Sequence, residues 1–347
     1  MIQGNNRLGY IDSIRAIAVF LVVWQHVSEN FKTIASHGLG LFQLGDTLDF
    51  GRMGVILFFC VSGFVIPSSL KGEKWIGVKC FIVKRFFRLY PAYWLSIPLG
   101  WFTSWYIWGK TIDFSTVLAN ITMVSGFFGK VEIEALYWTL QLELIFYFLC
   151  AGLFVLGVLK KSNILTGCSI SLIGIFIYMF LKGLGGYYLL YLGIMFWGAL
   201  YRQYVDGNRT VITKYALFGC WLIIVMFFPL WGYYKYLMME WTPVVLKMIG
   251  GYSVAMVLFL FFANGVRISN RKVTYLGEIS YSIYLFHPVI FYPIYKLAGK
   301  FLWINNHHLI IYIILSAVLS AAFSSIIYEL IEKRYIEKAK KYVKRIH

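Results

Sequence analysis

The sequence predicts an all-α fold, a polytopic membrane helix bundle of about ten spans with both termini cytoplasmic, on three observations. Of its 347 residues 60% are hydrophobic and 14% charged, against about 25% charged in a soluble domain, so the chain lacks the polar surface to cover itself in water. Its apolar residues gather in runs of roughly 20, the length that crosses a bilayer core as helix. Its 32 basic residues outnumber 15 acidic ones and fall mainly on alternate sides of those runs. A mean hydropathy of +0.71 excludes a soluble enzyme, a disordered regulator and a disulfide-stapled secreted module. The 20% aromatic share suits rings that fill helix contacts and mark headgroup level.

The candidate spans lie near 14–33, 52–70, 89–108, 137–159, 164–181, 187–204, 215–234, 244–264, 280–298 and 309–332. Turn-rich breaks separate them, such as Lys160-Lys161-Ser162-Asn163, Asp206-Gly207-Asn208-Arg209 and Asn305-Asn306-His307-His308. With a cytoplasmic N-terminus, the inner segments are 1–15, 71–88, 160–161, 202–214, 265–272 and the residues after 332. They hold 23 of the 32 Lys and Arg, as the positive-inside rule requires. Residues 1–332 are therefore read as a transmembrane domain and 333–347 as a basic cytoplasmic tail. The first run has no small-residue cleavage site and is expected to stay as a helix. The basic excess serves topology and attraction to membrane lipids, so no nucleic acid partner is expected. Cys60, Cys80, Cys150, Cys168 and Cys220 show neither a C-x-x-C nor a disulfide framework and are read as small buried residues. His307 and His308 are expected in a loop at poor metal spacing, and no metal is expected. Two connections, 34–51 and 109–136 (the latter with Asp113, Glu132 and Glu134), are too polar for lipid. Each is either a plain solvated loop or a roof over an outward groove.

Ionisable residues inside spans are costly and therefore candidates for function. Arg15 and His26 stand eleven positions apart, which places them on one helix face about 16 Å apart along the axis. His26 is either hydrogen-bonded to a neighbouring helix or part of a site. Arg85 and Arg88 are one helical turn apart and share a face. They either grip one polyanion with their guanidinium forks or anchor the inner side of the bundle. Glu143 has apolar neighbours and must be protonated or paired with another helix. It and His26 are expected at one depth, where a carboxylate would hold the ring's tautomer and raise its basicity; a structural ion pair is the alternative. His287, before the potential kink at Pro288, is read as packing or lining. Glu329 and Glu332 are expected to pair with Lys333 or Arg334. The Phe58–Phe64 run of small and aromatic residues reads as a helix-packing signal.

Five blocks in order resemble the membrane-bound acyltransferase-3 family, bacterial inner-membrane proteins that acylate cell-surface carbohydrates. They are Arg15 with His26 after ten intervening residues, Phe58 to Phe64 (F-F-x-x-S-G-F), Arg85 and Arg88 before Tyr90-Pro91, Trp138 to Tyr147 (W-S-L-x-x-E-x-x-F-Y) and Ser280 to His287 (S-Y-S-x-Y-L-x-H). Thr139 departs from the usual serine, and Leu144 and Ile145 replace a common acidic–glutamine pair. No periplasmic hydrolase-like domain is expected after the membrane part, unlike in the family's longer members.

The resemblance implies no permanently bound cofactor but an acyl-coenzyme A donor, usually acetyl-coenzyme A, and a glycan or lipid-linked glycan acceptor such as lipopolysaccharide. It implies His26 and Glu143 as catalytic, Arg15, Arg85 and Arg88 as binding the donor's phosphates, and Trp138, Tyr147, Tyr284 and His287 as lining the pocket. One continuous channel is expected to join the cationic mouth to the imidazole. The alternative is a transporter or flippase of a lipid-linked sugar, against which stands the lack of a detectable inverted repeat.

Overall fold

The computed structural model describes residues 8–32, 45, 47–301 and 306–346. Among them it contains helices and turns and no strand. The helices are α1 (Gly9–Lys32), α2 (Phe50–Val65), α3 (Lys74–Gly100), the short α4 (Phe114–Ile121), α5 (Tyr137–Val155), α6 (Ser162–Leu181), α7 (Tyr187–Val205) and α8 (Val211–Leu237). There follow α9 (Pro243–Gly265), α10 (Arg271–Glu278), α11 (Ser280–Phe301), α12 (Asn306–Ile327) and α13 (Lys333–Val343). Of the first outer connection, residues 33–44 and 46 lie outside the described residues.

Among the described residues, seven helical stretches are long and apolar enough to cross a bilayer: α1, α2, α5, α6, α8, α9 and the run from α12 into α13. The other three predicted spans fall on α3, α7 and α11, whose apolar character is diluted by basic residues in α3 and by tyrosines in α7 and α11. For α7 the physical reason is position. Every residue from Leu190 to Tyr201 is buried, so this helix meets protein rather than lipid and can carry polar atoms that find partners, as Tyr191 does with the Tyr252 hydroxyl at 2.9 Å.

The structure moves three expected boundaries. Helix α3 begins at Lys74, well before the span expected from residue 89, so Arg85 and Arg88 share one helix as their spacing implies. His307 and His308 fall in the first turn of α12. Residues 333–343 form α13, packed on α3 with Ala339 and Val343 buried and the Tyr335 ring stacked on Phe87 at 6.1 Å. Alternation of apolar and basic residues along that segment gives it one face to bury, which is why it docks.

Helix α2 lies between α1 and α7, and close backbone approach makes that possible. A Cβ on Gly63 would stand 2.0 Å from the Met195 carbonyl oxygen of α7, and one on Gly198 would stand 2.5 Å from the Cys60 carbonyl oxygen. The Phe58–Phe64 block does act in packing through Gly63, as small residues do at membrane helix contacts.

The connection 109–136 is ordered rather than a free loop. Asn120 donates to the Thr116 and Val131 carbonyls at 2.8 and 2.9 Å and accepts from the Ile133 amide. Hydroxyls of Tyr90 and Tyr93 and the Trp94 indole, all on α3, donate to the carbonyls of Thr122, Asn120 and Ile121. Glu134 is buried, accepts from the Ser104 hydroxyl, and has its carboxyl pushed up to about 8 by burial, against the smaller opposing effect of the Ser104 bond.

Two outcomes follow. Gly63→Ala meets backbone that cannot give, and is expected to cost at least about 3 kcal/mol, seen as a lower unfolding temperature in detergent; Gly152→Ala, with open space around it, should change nothing. Glu134 holds its proton more tightly folded than unfolded, so its contribution is whole below about pH 4.5 and is lost as pH rises through about 8. The protection of amides 120–137, after allowance for their base-catalysed intrinsic exchange, should therefore fall as pH rises through about 8, and Glu134→Gln should remove that fall.

Candidate active site

Four helices and the start of a fifth element bring the charged residues together. Helical spacing puts Arg85 and Arg88 on one face of α3 and Glu143 and Tyr147 one turn apart on α5. Arg15, Arg85, Arg88, Glu143 and Tyr147 line one cavity. Phe58, Phe59 and Ser62 of α2 and Tyr281 and Tyr284 of α11 complete the wall.

Within this cavity three guanidinium groups face one carboxylate. The Arg15 Nη1 lies 3.7 Å from Asp12 Oδ1. Arg85 donates to the Ser69 hydroxyl at 3.3 Å and stands over the rings of Phe81 and Tyr147 at 5.5 and 5.3 Å. Glu143 Oε1 accepts from the Tyr147 hydroxyl at 2.6 Å and from the Ser62 hydroxyl at 3.3 Å. Charge of one sign in excess inside an apolar bundle favours an anionic guest with several oxygens, which planar guanidinium forks bind bidentately. Arg15 and Arg88 also form part of the wall of a second, polar cavity of about 390 Å³. There Asp12, Glu278, Glu332 and Glu337 balance Arg202, Lys333 and Lys340. The two spaces meet at the same pair of arginines.

His26, half-buried on α1, has a different partner from the one expected. Its Nδ1 lies 2.8 Å from Nε2 of His287, with the rings nearly parallel at 18° and centroids 5.1 Å apart. His287 is fully buried, and its Nδ1 lies 2.8 Å from the Tyr284 carbonyl oxygen and 3.2 Å from that of Ile283. The expected pairing of His26 with Glu143 is therefore not formed. The reason is α11, which reaches both helices: its Tyr284 hydroxyl bonds the Thr139 hydroxyl of α5 at 2.8 Å, and its His287 meets α1. Ser62 and Tyr147 satisfy the carboxylate instead.

The structure thus brings Arg15, Arg85, Arg88, Glu143, Tyr147 and Tyr284 to one cavity. His26, His287 and Trp138 lie outside its lining. Trp138 packs on Phe59 and Tyr191, with centroids 6.3 and 5.4 Å away. The imidazole pair is therefore not part of the wall of this cavity, although Tyr284, which lines it, has its ring 6.1 Å from His287. Glu332 accepts from the Ser282 hydroxyl at 2.8 Å, while Lys333 pairs with Glu329 at 2.7 Å; only the latter matches expectation. Ser62 was a missed lining residue. Its signal was a lone hydroxyl on the face of α2 that also carries Phe58 and Phe59.

Chemically, the cavity can hold a phosphate-rich or carboxylate-bearing molecule, and the imidazole pair can take and return a proton. A family described as an acyltransferase domain matches residues 8–329. The chain is 25% identical over 245 residues to ORF330 of the Acidianus two-tailed virus, which carries an acetyltransferase name; the match covers 68% of this chain and 72% of that protein. It is 26% identical over 144 residues to nodulation protein 10 of Rhizobium leguminosarum bv. viciae, covering 33% of this chain and 39% of that protein. No solved structure matches the chain.

Proposed function

Since the chain belongs to the acyltransferase-3 family and is a multi-pass membrane protein, we propose that it moves an acyl group, acetyl in the first instance, from cytoplasmic acyl-coenzyme A to a hydroxyl of a cell-surface or lipid-linked polysaccharide such as lipopolysaccharide. On this reading it crosses the bacterial inner membrane ten times, with both termini in the cytoplasm, in keeping with the distribution of its basic residues. The observation that carries the proposal is the clustering of Arg15, Arg85 and Arg88 around one cavity that borders a larger polar one.

The donor carries several phosphates and is made in the cytoplasm, so it enters from the end that holds the α1 N-terminus. Arg85 and Arg88, with Arg15, bind its phosphate oxygens. Glu143 offsets part of the cationic charge while the site is empty and holds the Tyr147 hydroxyl in the cavity wall. His26, farther along α1 on the side of Arg15, is the general base. It takes the proton of the acceptor hydroxyl as the oxygen bonds to the thioester carbonyl carbon. Collapse of the tetrahedral species breaks the carbon–sulfur bond, and His26 returns the proton to the thiolate, leaving ester and free thiol. Proton transfer of this kind contributes typically about 10²–10⁴-fold. Tyr284, which lines the cavity with its ring 6.1 Å from His287, is the wall residue nearest the imidazole pair along α11.

Membranes given radiolabelled acetyl-coenzyme A and acceptor glycan should show alkali-labile label on carbohydrate; movement of sugar without covalent label would instead mark a transporter. His26→Ala should abolish transfer with insertion intact, and a normal product yield would refute its role. Arg85→Ala and Arg88→Ala should each weaken donor binding about tenfold in isothermal titration, in line with loss of a charge-assisted contact; unchanged affinity would rule out the phosphate clamp.

A further inference from the structure

We propose that His287 is a positioning residue that locks His26 in the tautomer with its proton on Nδ1 and its lone pair on Nε2, and that Pro288, by lacking an N–H, frees the Tyr284 carbonyl that anchors this lock. The inference rests on the reading of His26 as the base.

The argument runs along one chain of hydrogen bonds. Pro288 lies inside α11 and has no backbone N–H, so the carbonyl four residues earlier, that of Tyr284, loses its helical donor. The His287 ring fills the gap, with Nδ1 at 2.8 Å from that oxygen. A carbonyl only accepts, so Nδ1 of His287 bears the proton. In neutral His287 the other nitrogen, Nε2, then carries a lone pair. It lies 2.8 Å from Nδ1 of His26, and a contact this short between ring nitrogens needs a proton between them. That proton is on His26 Nδ1, which leaves His26 Nε2 as the acceptor. The same relay serves catalysis: when Nε2 takes a substrate proton, the imidazolium's Nδ1–H donates to His287, whose own N–H donates to Tyr284. His287 is fully buried and its ring stacks with Phe291 at 6.0 Å, so it keeps one orientation. A proline placed after a histidine therefore orients a second histidine on another helix, a part carboxylates more often play.

The test uses the full chain in lipid nanodiscs with ¹⁵N-labelled histidine, its ring signals assigned through His26→Ala and His287→Ala. In the unsubstituted protein His26 should be protonated on Nδ1 alone. His287→Ala should abolish the single tautomer and lower kcat about 10²-fold with the donor KM unchanged, because the arginine cavity is separate. His287→Gln, whose amide oxygen can accept from His26, should recover at least a tenth of the activity and the Nδ1–H signal. Pro288→Ala, which offers Tyr284 a competing N–H, should give an intermediate tautomer mixture. A His26 protonated on Nε2 in the unsubstituted protein overturns the inference, as does a folded His287→Gln protein no better than His287→Ala. The tautomer is read without donor or acceptor, so a chain that transfers no acyl group would refute the proposed function while leaving this result to stand or fall by itself.

Discussion

Charge inside a low-dielectric bundle must be answered locally, and that requirement shapes most of this molecule. Arg15, Arg85 and Arg88 cannot be left facing lipid, where an unpaired guanidinium costs several kcal/mol or more. The bundle turns them inward to a cavity that also holds Glu143. The aromatic walls help: Arg85 sits over two rings, a contact that gains strength where water is scarce. The surplus of positive charge that remains is the feature on which the proposal of an anionic guest rests.

Helix α11 is the element on which the arrangement turns. It contacts α1, α3 and α12 and reaches α5 through the Tyr284–Thr139 bond. Its first turns deliver Ser282 to Glu332, the Tyr281 hydroxyl to the Leu89 carbonyl at 2.9 Å, Tyr284 to the cavity wall and His287 to His26. The first turns of one helix thus serve a buried carboxylate, inter-helix fixation, the cavity wall and the imidazole's own partner. Pro288 would weaken an isolated helix, and here the carbonyl it frees is answered by the preceding histidine.

Helix packing decides where polar residues are tolerated. Close contact of α2 and α7 through Gly63 and Gly198 makes α7 an interior helix. That is why its tyrosines, which depress hydropathy, do not disqualify it as part of the bundle core. The connection 109–136 follows the same rule: its backbone carbonyls receive hydroxyl and indole donors from α3, so the segment is held down although it is polar.

Much of the architecture was legible in the chain. Runs of apolar residues at bilayer length marked the helices because a backbone in lipid has to satisfy its hydrogen bonds within each segment. Charges within those runs marked the site because they are expensive there, and helical spacing correctly placed Arg85 with Arg88. What remained illegible depended on which faces meet across helices far apart in sequence. Glu143 and His26 were compatible in depth, yet 3.6-residue periodicity fixes a side chain's direction only relative to its own axis, not the rotation of one helix against another. The insertion of α11 gave the carboxylate to Tyr147 and Ser62 and the imidazole to His287. Residue types and their spacing thus determined a helical membrane bundle with a cationic pocket on particular residues. Partner choice was decided only when the helices packed, because it is set by inter-helix rotation and close approach, quantities that no single segment encodes.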